Sequence, residues 1–201
     1  VVREAEGRYR LTREEPVGVG RKGYFVAEVT DRRNGVHNTF GIWRVTASVD
    51  GVPYFEYRMD GFTHDLSRCC DAVSCYSLQP ASRNEVIRLA RLAGSPSCFY
   101  PVMEERGVVR TAEGQLRRIR IEAEDDCGNR SALEFTVRGR SESFRAEADT
   151  AAVALYPDRT SLVQVGREAR TSIPEGALYE PIFVKPERRE TPQADSGVVV
   201  L

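Results

Sequence analysis

The chain has 201 residues, 41% of them apolar, and a formal net charge of −1. That apolar content excludes wholesale disorder, and the balanced charge gives neither the basic excess that nucleic acid calls for nor an acidic solvating block. No apolar run approaches the ~20 residues of a membrane-spanning helix, so neither nucleic acid nor a membrane span is expected. Among 29 basic residues only Lys22 and Lys185 are lysine. A coding bias toward Arg accounts for this. The alternative is Arg chosen for bidentate contacts to anions.

The chain opens at Val1 without an initiating Met or a signal peptide, which suggests an excised piece of a longer protein. Residues 1–19 read as a connecting segment. Arg8 to Thr12 within it fits a short edge strand, and Pro16, Gly18 and Gly20 mark a connection. Residues 24–30 alternate Phe25, Ala27 and Val29 with Tyr24, Val26 and Glu28, as a strand does. Residues 31–38 are a polar loop with a turn at Asn34-Gly35.

Residues 41–61 organise the chain around them. Trp43, Val45, Ala47 and Val49 alternate with Arg44, Thr46 and Ser48; Phe55, Tyr57 and Met59 alternate with Tyr54, Glu56 and Arg58. Asp50-Gly51 lies between the runs, and a type I′ turn needs positive φ at both central residues, which suits that pair. The expectation is an antiparallel hairpin with one apolar and one polar face. Residues 61–101 form an insertion. Its first half is irregular, and residues 82–93 predict a helix. Ser82 and Glu85 have capping-box spacing, Val86, Leu89, Ala90 and Ala93 share a face, and Gly94 and Pro96 end it. Residues 97–100 fit a short strand.

A second hairpin comes next. Ile119, Ile121 and Ala123 alternate with Arg118, Arg120 and Glu122, then Leu133, Phe135 and Val137 with Glu134 and Thr136, around the turn DDCGNRS at 125–131. Short alternating strands with turns between them predict an antiparallel β-sandwich of immunoglobulin-like type over residues 20–140, with a helical insertion. Residues 141–201 read as a linker and an incomplete second β-domain, with strands at 151–156 and 162–165. The last four residues, Val198 to Leu201, are apolar, as if the chain were cut inside a strand of something larger.

Five cysteines make an odd set: Cys69, Cys70, Cys75, Cys98 and Cys127. Three chemistries are open to the first four. Disulfides would staple the insertion and leave a thiol over. Zinc would use thiolates and imidazole, with His64, Cys69 and Cys75 as the nearest set, although no CxxC pair is present. Buried thiols acting as small apolar groups are the third. His64 precedes Cys69 by five residues, but beside Asp65 it reads as a loop residue rather than a catalytic base, and His37 lies in a polar loop. The acidic run Glu122, Glu124, Asp125 and Asp126, with Asn129 near, lacks the spacing of a twelve-residue calcium loop and reads as a solvated turn. Asn129-Arg130-Ser131 fits a glycosylation acceptor. Trp43, Tyr54, Phe55 and Tyr57 fall on or near the apolar faces, which favours core packing over a sugar-stacking surface.

Several segments together carry a resemblance. They are a strand ending in Asp (VAEVTD), a short polar loop, a strand opened by Gly41-Ile42, the RMDGF segment at 58–62, and the D-x-x-GN-x-S turn from Asp125 to Ser131. Over residues 20–139 the chain resembles the β-sandwich region that follows the catalytic domain in lysostaphin-type zinc metallopeptidases of Gram-negative envelopes. IPEGALYE, residues 173–180, resembles the opening of a following β-domain in the same proteins. The peptidase of that family binds zinc through His-x-x-x-Asp and His-x-His. Here the fourth residue after His37 is Gly41 and after His64 is Arg68, so no catalytic residue carries over. The resemblance implies a non-catalytic accessory region of a peptidoglycan-cleaving zinc metalloendopeptidase, periplasmic or extracellular, that positions or regulates the catalytic domain or holds it to the wall or a partner. Its zinc would sit only in an upstream catalytic domain. Its partners would be that covalently linked domain and a cell-wall or envelope protein. Such a compartment favours the disulfide reading. The rival function is a free-standing adhesion or glycan-binding β-sandwich module; a third is a thiol or zinc enzyme built on the cysteine group.

Overall fold

At Asp50-Gly51 φ is 50° and 84°, the two positive values that a type I′ turn requires. The computed structural model describes residues 1–13, 16–32, 35, 37, 39–75, 78, 84–95, 98–141, 152–167 and 169–186. The turn joins β8 (Arg44–Val49) to β9 (Val52–Arg58) in antiparallel register, as the alternation predicts. One detail departs from strict alternation. The register shifts between Ala47 and Ser48, so Tyr54 is an extra residue on β9. That bulge is why Tyr54 is buried beside Phe55, where the alternation predicts it on the polar face; Glu56 is buried on that polar face by Arg44 and Arg58. Trp43, expected on the apolar face, is only half-buried and donates Nε1–H to Asp60 Oδ1 at 3.1 Å.

The second hairpin is β13 (Leu116–Glu124) and β14 (Arg130–Gly139), paired over nine positions from Leu116↔Arg138 to Glu124↔Arg130. β13 also pairs antiparallel with β8. The N-terminal residues do more than connect. β1 (Val2–Ala5), β2 (Arg8–Arg10) and β3 (Val17–Val19) all join this sheet; β2 and β3 run parallel to β14, and β1 rather than β2 is the edge. With β11 (Val102–Met103) on the far side of β9, the order is β1-β2-β14-β13-β8-β9-β11, β3 lying beside β14.

Small two-stranded sheets complete the unit: β4 (Lys22–Gly23) with β12 (Val109–Arg110), β5 (Val26–Val29) with β10 (Glu85–Arg88), and β6 (Asp31–Arg32) with β7 (Thr39–Phe40). The β10 pairing corrects the helix expected over 82–93. Glu85 to Arg88 pair with Val29 to Val26, and Val86, Ile87 and Arg88 are buried in a row. Adjacent β-branched residues covered on both faces suit a strand, and the partner edge of β5 satisfies their backbone groups. Ser82, the expected cap, lies outside the described residues. Among the described residues the α-helix of the insertion is α1 (Ser67–Val73), in the part expected to be irregular. Cys69, Ala72 and Val73 have i, i+3, i+4 spacing and are buried together. Cys98 and Phe99 form a turn, not the strand expected there, and Ser97 is outside the described residues.

The core lies on one face of the large sheet. Val45, Ala47, Phe55, Tyr57, Ile119, Ile121, Phe135 and Val137 meet Ala27, Ile87 and Leu89, Val73 of α1, and Phe99 and Tyr100. Phe25 packs edge-on against Phe135 with ring centroids 5.6 Å apart. Fully burying such a side chain contributes about 1.5–3 kcal/mol. The architecture is therefore mainly β, in antiparallel sheets apart from the two parallel pairings to β14.

The chain divides into two units, Val1–Arg145 and Ala146–Leu201. In the second, β15 (Val153–Leu155) pairs with β18 (Ile182–Val184), and β16 (Ser161–Val165) forms a hairpin with β17 (Ala169–Ile173). Leu155 and Val163 are its buried apolar residues among those described. Residues 198–201 lie outside the described residues.

Candidate functional site

The polar residues of the alternating strands form the other face of the large sheet. The register arranges them in rows: Arg44, Glu124 and Arg130; Glu56, Thr46 and Glu122; Ser48, Arg120 and Glu134; Arg118 and Thr136; Leu116 and Arg138. Four strands thus carry a lattice of guanidinium and carboxylate groups. Arg44 grips Glu56 with both Nε and Nη2, at 3.0 and 3.2 Å, and reaches Glu124 through Nη1 at 3.2 Å. Arg130 reaches the other oxygen of Glu124 at 3.0 Å. Arg120 bridges Glu122 and Glu134. Beyond Glu56, Arg58 bonds Asp60 at 2.6 Å. Glu56 and Glu124 are buried, and the fork geometry of Arg44 compensates their desolvation. The hydrogen bonds that Arg44 donates to Glu56 hold the Arg44 pKa above its usual value, against the opposing effect of burial.

Two adjoining hollows lie on this face. The larger, about 670 Å³, is lined by Ser48, Arg117, Arg118, Arg120, Glu134 and Thr136, with Leu116 and the Asp50-Gly51 turn at its rim. The smaller, about 330 Å³, is lined by Arg44, Thr46, Glu56 and Glu122, and shares Ser48 and Arg120 with the first. Asp50 uses both carboxylate oxygens. Its Oδ2 accepts from Arg117 Nη1 and its Oδ1 from the Arg118 backbone N–H, both at 2.8 Å. The Arg117 hydrogen bond, then that of Arg118, holds the Asp50 carboxyl below its ordinary pKa. An open, charged, hydroxyl-bearing surface of this kind can bind a polar or ionic partner.

The residues singled out from the sequence lie elsewhere. Cys69, Cys70, Cys75, Cys98 and Cys127 stand as thiols in this structure. Cys69 on α1 and Cys75 just beyond it are buried, Cys70 is half-buried, and Cys98 is exposed in its turn. Buried thiols here fill small apolar positions. Arg88 Nη2 donates to Cys75 Sγ at 4.0 Å, and the Arg88 guanidinium lies 5.9 Å from the Tyr24 ring centroid. Burial, then Asp71, pushes the Cys70 thiol pKa up, the opposite of an activated nucleophile. Burial raises the Tyr100 phenol to about 12.

His64, Cys69 and Cys75 do not converge as a ligand set. Among the described residues the one group of three whose ligand atoms lie within 4.8 Å of each other is Asp125, Asp126 and Cys127. His64 is exposed, and its carbonyl accepts from Ser67 Oγ at 2.8 Å; His37 is exposed too. The Asp125 group is the turn itself. Asp125 Oδ1 accepts from the backbone of Cys127 and Asn129, and Oδ2 from Asn129 Nδ2 at 2.7 Å. The Asn129 hydrogen bond lowers the Asp125 pKa. The same bond engages the amide that a glycosylation acceptor would present. Among the described residues no helix is long and apolar enough to cross a membrane.

Comparison with protein-family models, curated proteins and solved structures finds no match to this chain. The outer face therefore stands on its own geometry. Its residues carried a sequence signal, the polar half of each alternation. That signal did not show that Arg44, Glu56, Glu124 and Arg130 come from four strands sharing one face.

Proposed function

We propose that this chain is a non-catalytic accessory region of a cell-envelope peptidoglycan metallopeptidase, built as an immunoglobulin-like β-sandwich followed by the start of a second β-domain. Its role is to hold the peptidase domain against the wall or an envelope protein in the periplasm or outside the cell. The observation that carries a binding role is the outer face, where an ion-pair lattice across β9, β8, β13 and β14 borders a hollow of about 670 Å³. The part-buried bidentate Arg44–Glu56 pair holds its side chains in place, and rigid polar surfaces bind with less ordering cost. The link to a peptidase rests on the RMDGF segment and the D-x-x-GN-x-S turn.

A free-standing glycan-binding module is the less favoured reading. Sugars are commonly held on exposed aromatic rings, but Tyr54, Phe55 and Tyr57 are buried. Two measurements test the proposal. The purified chain should show no activity in a zymogram or a dye-release assay with added zinc, and it should co-sediment with purified peptidoglycan or with the peptidase domain. Chelator-sensitive cleavage by the chain alone would overturn it, as would a parent reading frame without an HxxxD and HxH peptidase domain.

A further inference from the structure

Cys69, Cys70, Cys75 and Cys98 all fall within the insertion, and the fold treats them differently. Cys69 and Cys75 are buried. Cys69 shares the inward face of α1 with Ala72 and Val73, and Cys75 Sγ accepts from Arg88 Nη2. Cys70 follows Cys69 by one residue, about 100° of helix, so it stands on the flank of α1 and is half-buried. Cys98 is exposed in the turn that leads Phe99 and Tyr100 into the core. Packing brings flank and turn together. Phe99 and Tyr100 belong to the same apolar cluster as Cys69 and Val73, and Cys70 packs against that cluster. The Phe99 carbonyl accepts from the Arg58 N–H at 2.9 Å, and Phe62 meets the Phe99 ring edge-on at 5.9 Å, which fixes the turn. The electrostatics describe the same neighbourhood. Burial, then Asp71 and Cys98, raises the Cys70 thiol. Burial chiefly raises the Tyr100 phenol, and Cys98 and Cys69 add to it. Burial also raises Tyr57, which has Glu85, Cys70 and Tyr100 around it. Two thiols from separate segments therefore lie at one margin of the core, Cys98 exposed and Cys70 half-buried.

We propose that Cys70 and Cys98 are a redox pair that closes into a single disulfide, a latch between α1 and the 98–100 turn, while Cys69 and Cys75 stay thiols. Exposure sets the order of events. The Cys98 thiolate attacks a small disulfide, oxidised glutathione; a bond from Cys98 sulfur to glutathione forms and one glutathione thiolate leaves. The Cys70 thiolate then attacks the Cys98 sulfur, the bond between the two cysteines forms, and the second glutathione thiolate leaves. The two protein thiols lose two electrons, one glutathione disulfide gains them, and the two thiol protons end on the two glutathiones. Closing the chain from Cys70 to Cys98 restricts the unfolded state and so stabilises the fold. The latch concerns this chain's own thiols and does not rest on the peptidase reading.

The test treats the reduced full chain with oxidised glutathione, alkylates the remaining thiols in denaturant and maps tryptic peptides without reduction. Residues 69–83 should be joined to residues 92–106, with Cys69 and Cys75 alkylated. Fragmentation of the joined peptides places the bond at Cys70 without any variant. In Cys70→Ser the link should vanish and glutathione should stay on Cys98; in Cys98→Ser the link should vanish too. The oxidised wild-type chain should melt several degrees above the reduced chain, a gain absent from both variants. A bond placed at Cys69 or Cys75, a link that survives Cys70→Ser, or wild-type chain that keeps glutathione on Cys98 with no link would each overturn the proposal.

Discussion

Asp50 and Arg118 are joined in both directions through the Arg118 backbone. The Asp50 N–H donates to the Arg118 carbonyl at 2.8 Å, and the Arg118 N–H donates to Asp50 Oδ1 at 2.8 Å. The turn of the central hairpin is thereby clamped to β13, and Arg117 Nη1 closes the clamp on Oδ2. One residue serves the turn, the sheet and the rim of the hollow.

That clamp predicts a pH dependence. The folded-state Asp50 pKa is depressed by Arg117 and by the Arg118 amide. A depressed carboxylate contributes stability above the unfolded pKa of about 3.9 and loses it as pH falls through the lower folded value. Asp50→Asn keeps the turn preference and an acceptor oxygen but not the charge. Urea midpoints should therefore be lower for Asp50→Asn at pH 7, with the difference shrinking below about pH 4. A difference independent of pH would show that the charge contributes nothing.

Gly51 has φ of 84° with open space where a Cβ would stand. Replacement is thus a matter of backbone strain rather than collision. Gly51→Val should destabilise by about 1–3 kcal/mol, because a β-branched residue is strained at positive φ. Denaturant midpoints at unchanged slope give the measurement.

The lattice should be uneven in strength. Arg44 joins Glu56 and Glu124, whose side chains are 10% and 9% exposed. Arg44→Met leaves two buried carboxylates with only their outer partners, Arg58 and Arg130, and should cost about 2–3 kcal/mol, below the full cost of an uncompensated buried charge. Arg120 is 45% exposed, and Arg120→Met should cost less than about 1 kcal/mol. Equal losses in chemical denaturation would contradict this ordering.

Ile87 discriminates strand from helix in the insertion. A helix over 82–93 would place it off the apolar face, where truncation matters little. In β10 it has 0% exposure, and Ile87→Ala should cost about 2–5 kcal/mol. A loss below about 0.5 kcal/mol, the range of ordinary surface sites, would argue for the helix.

Thiol reactivity should track exposure. Cys98 and Cys127 are exposed and should react at once with a thiol reagent after reduction, Cys70 more slowly, and Cys69 and Cys75 only on denaturation. Rapid reaction of five thiols in native buffer would overturn this burial pattern. Protein from an oxidising compartment that titrates fewer than five thiols in denaturant before reduction would mark the bridged form.

What the sequence determined by itself was local. Period-two alternation and the Asp50-Gly51 and Asp125-to-Ser131 turns specify two hairpins and their two faces, because side-chain direction in a strand and positive φ in a turn depend on neighbours within a few positions. The polar half of the candidate face was legible in that way, strand by strand. Only the tertiary structure decided the rest. Val86 and Ile87 fit a helical face or a strand until β5 offers its edge, residues 17–19 look like connection until β14 pairs with them in parallel, and residues 8–10 look like an edge strand until they lie between β1 and β14. Arg44 meets Glu124 eighty positions later only because β8 and β13 align in one register. Strand pairing is set by burial and hydrogen bonding between distant segments, which no local pattern encodes.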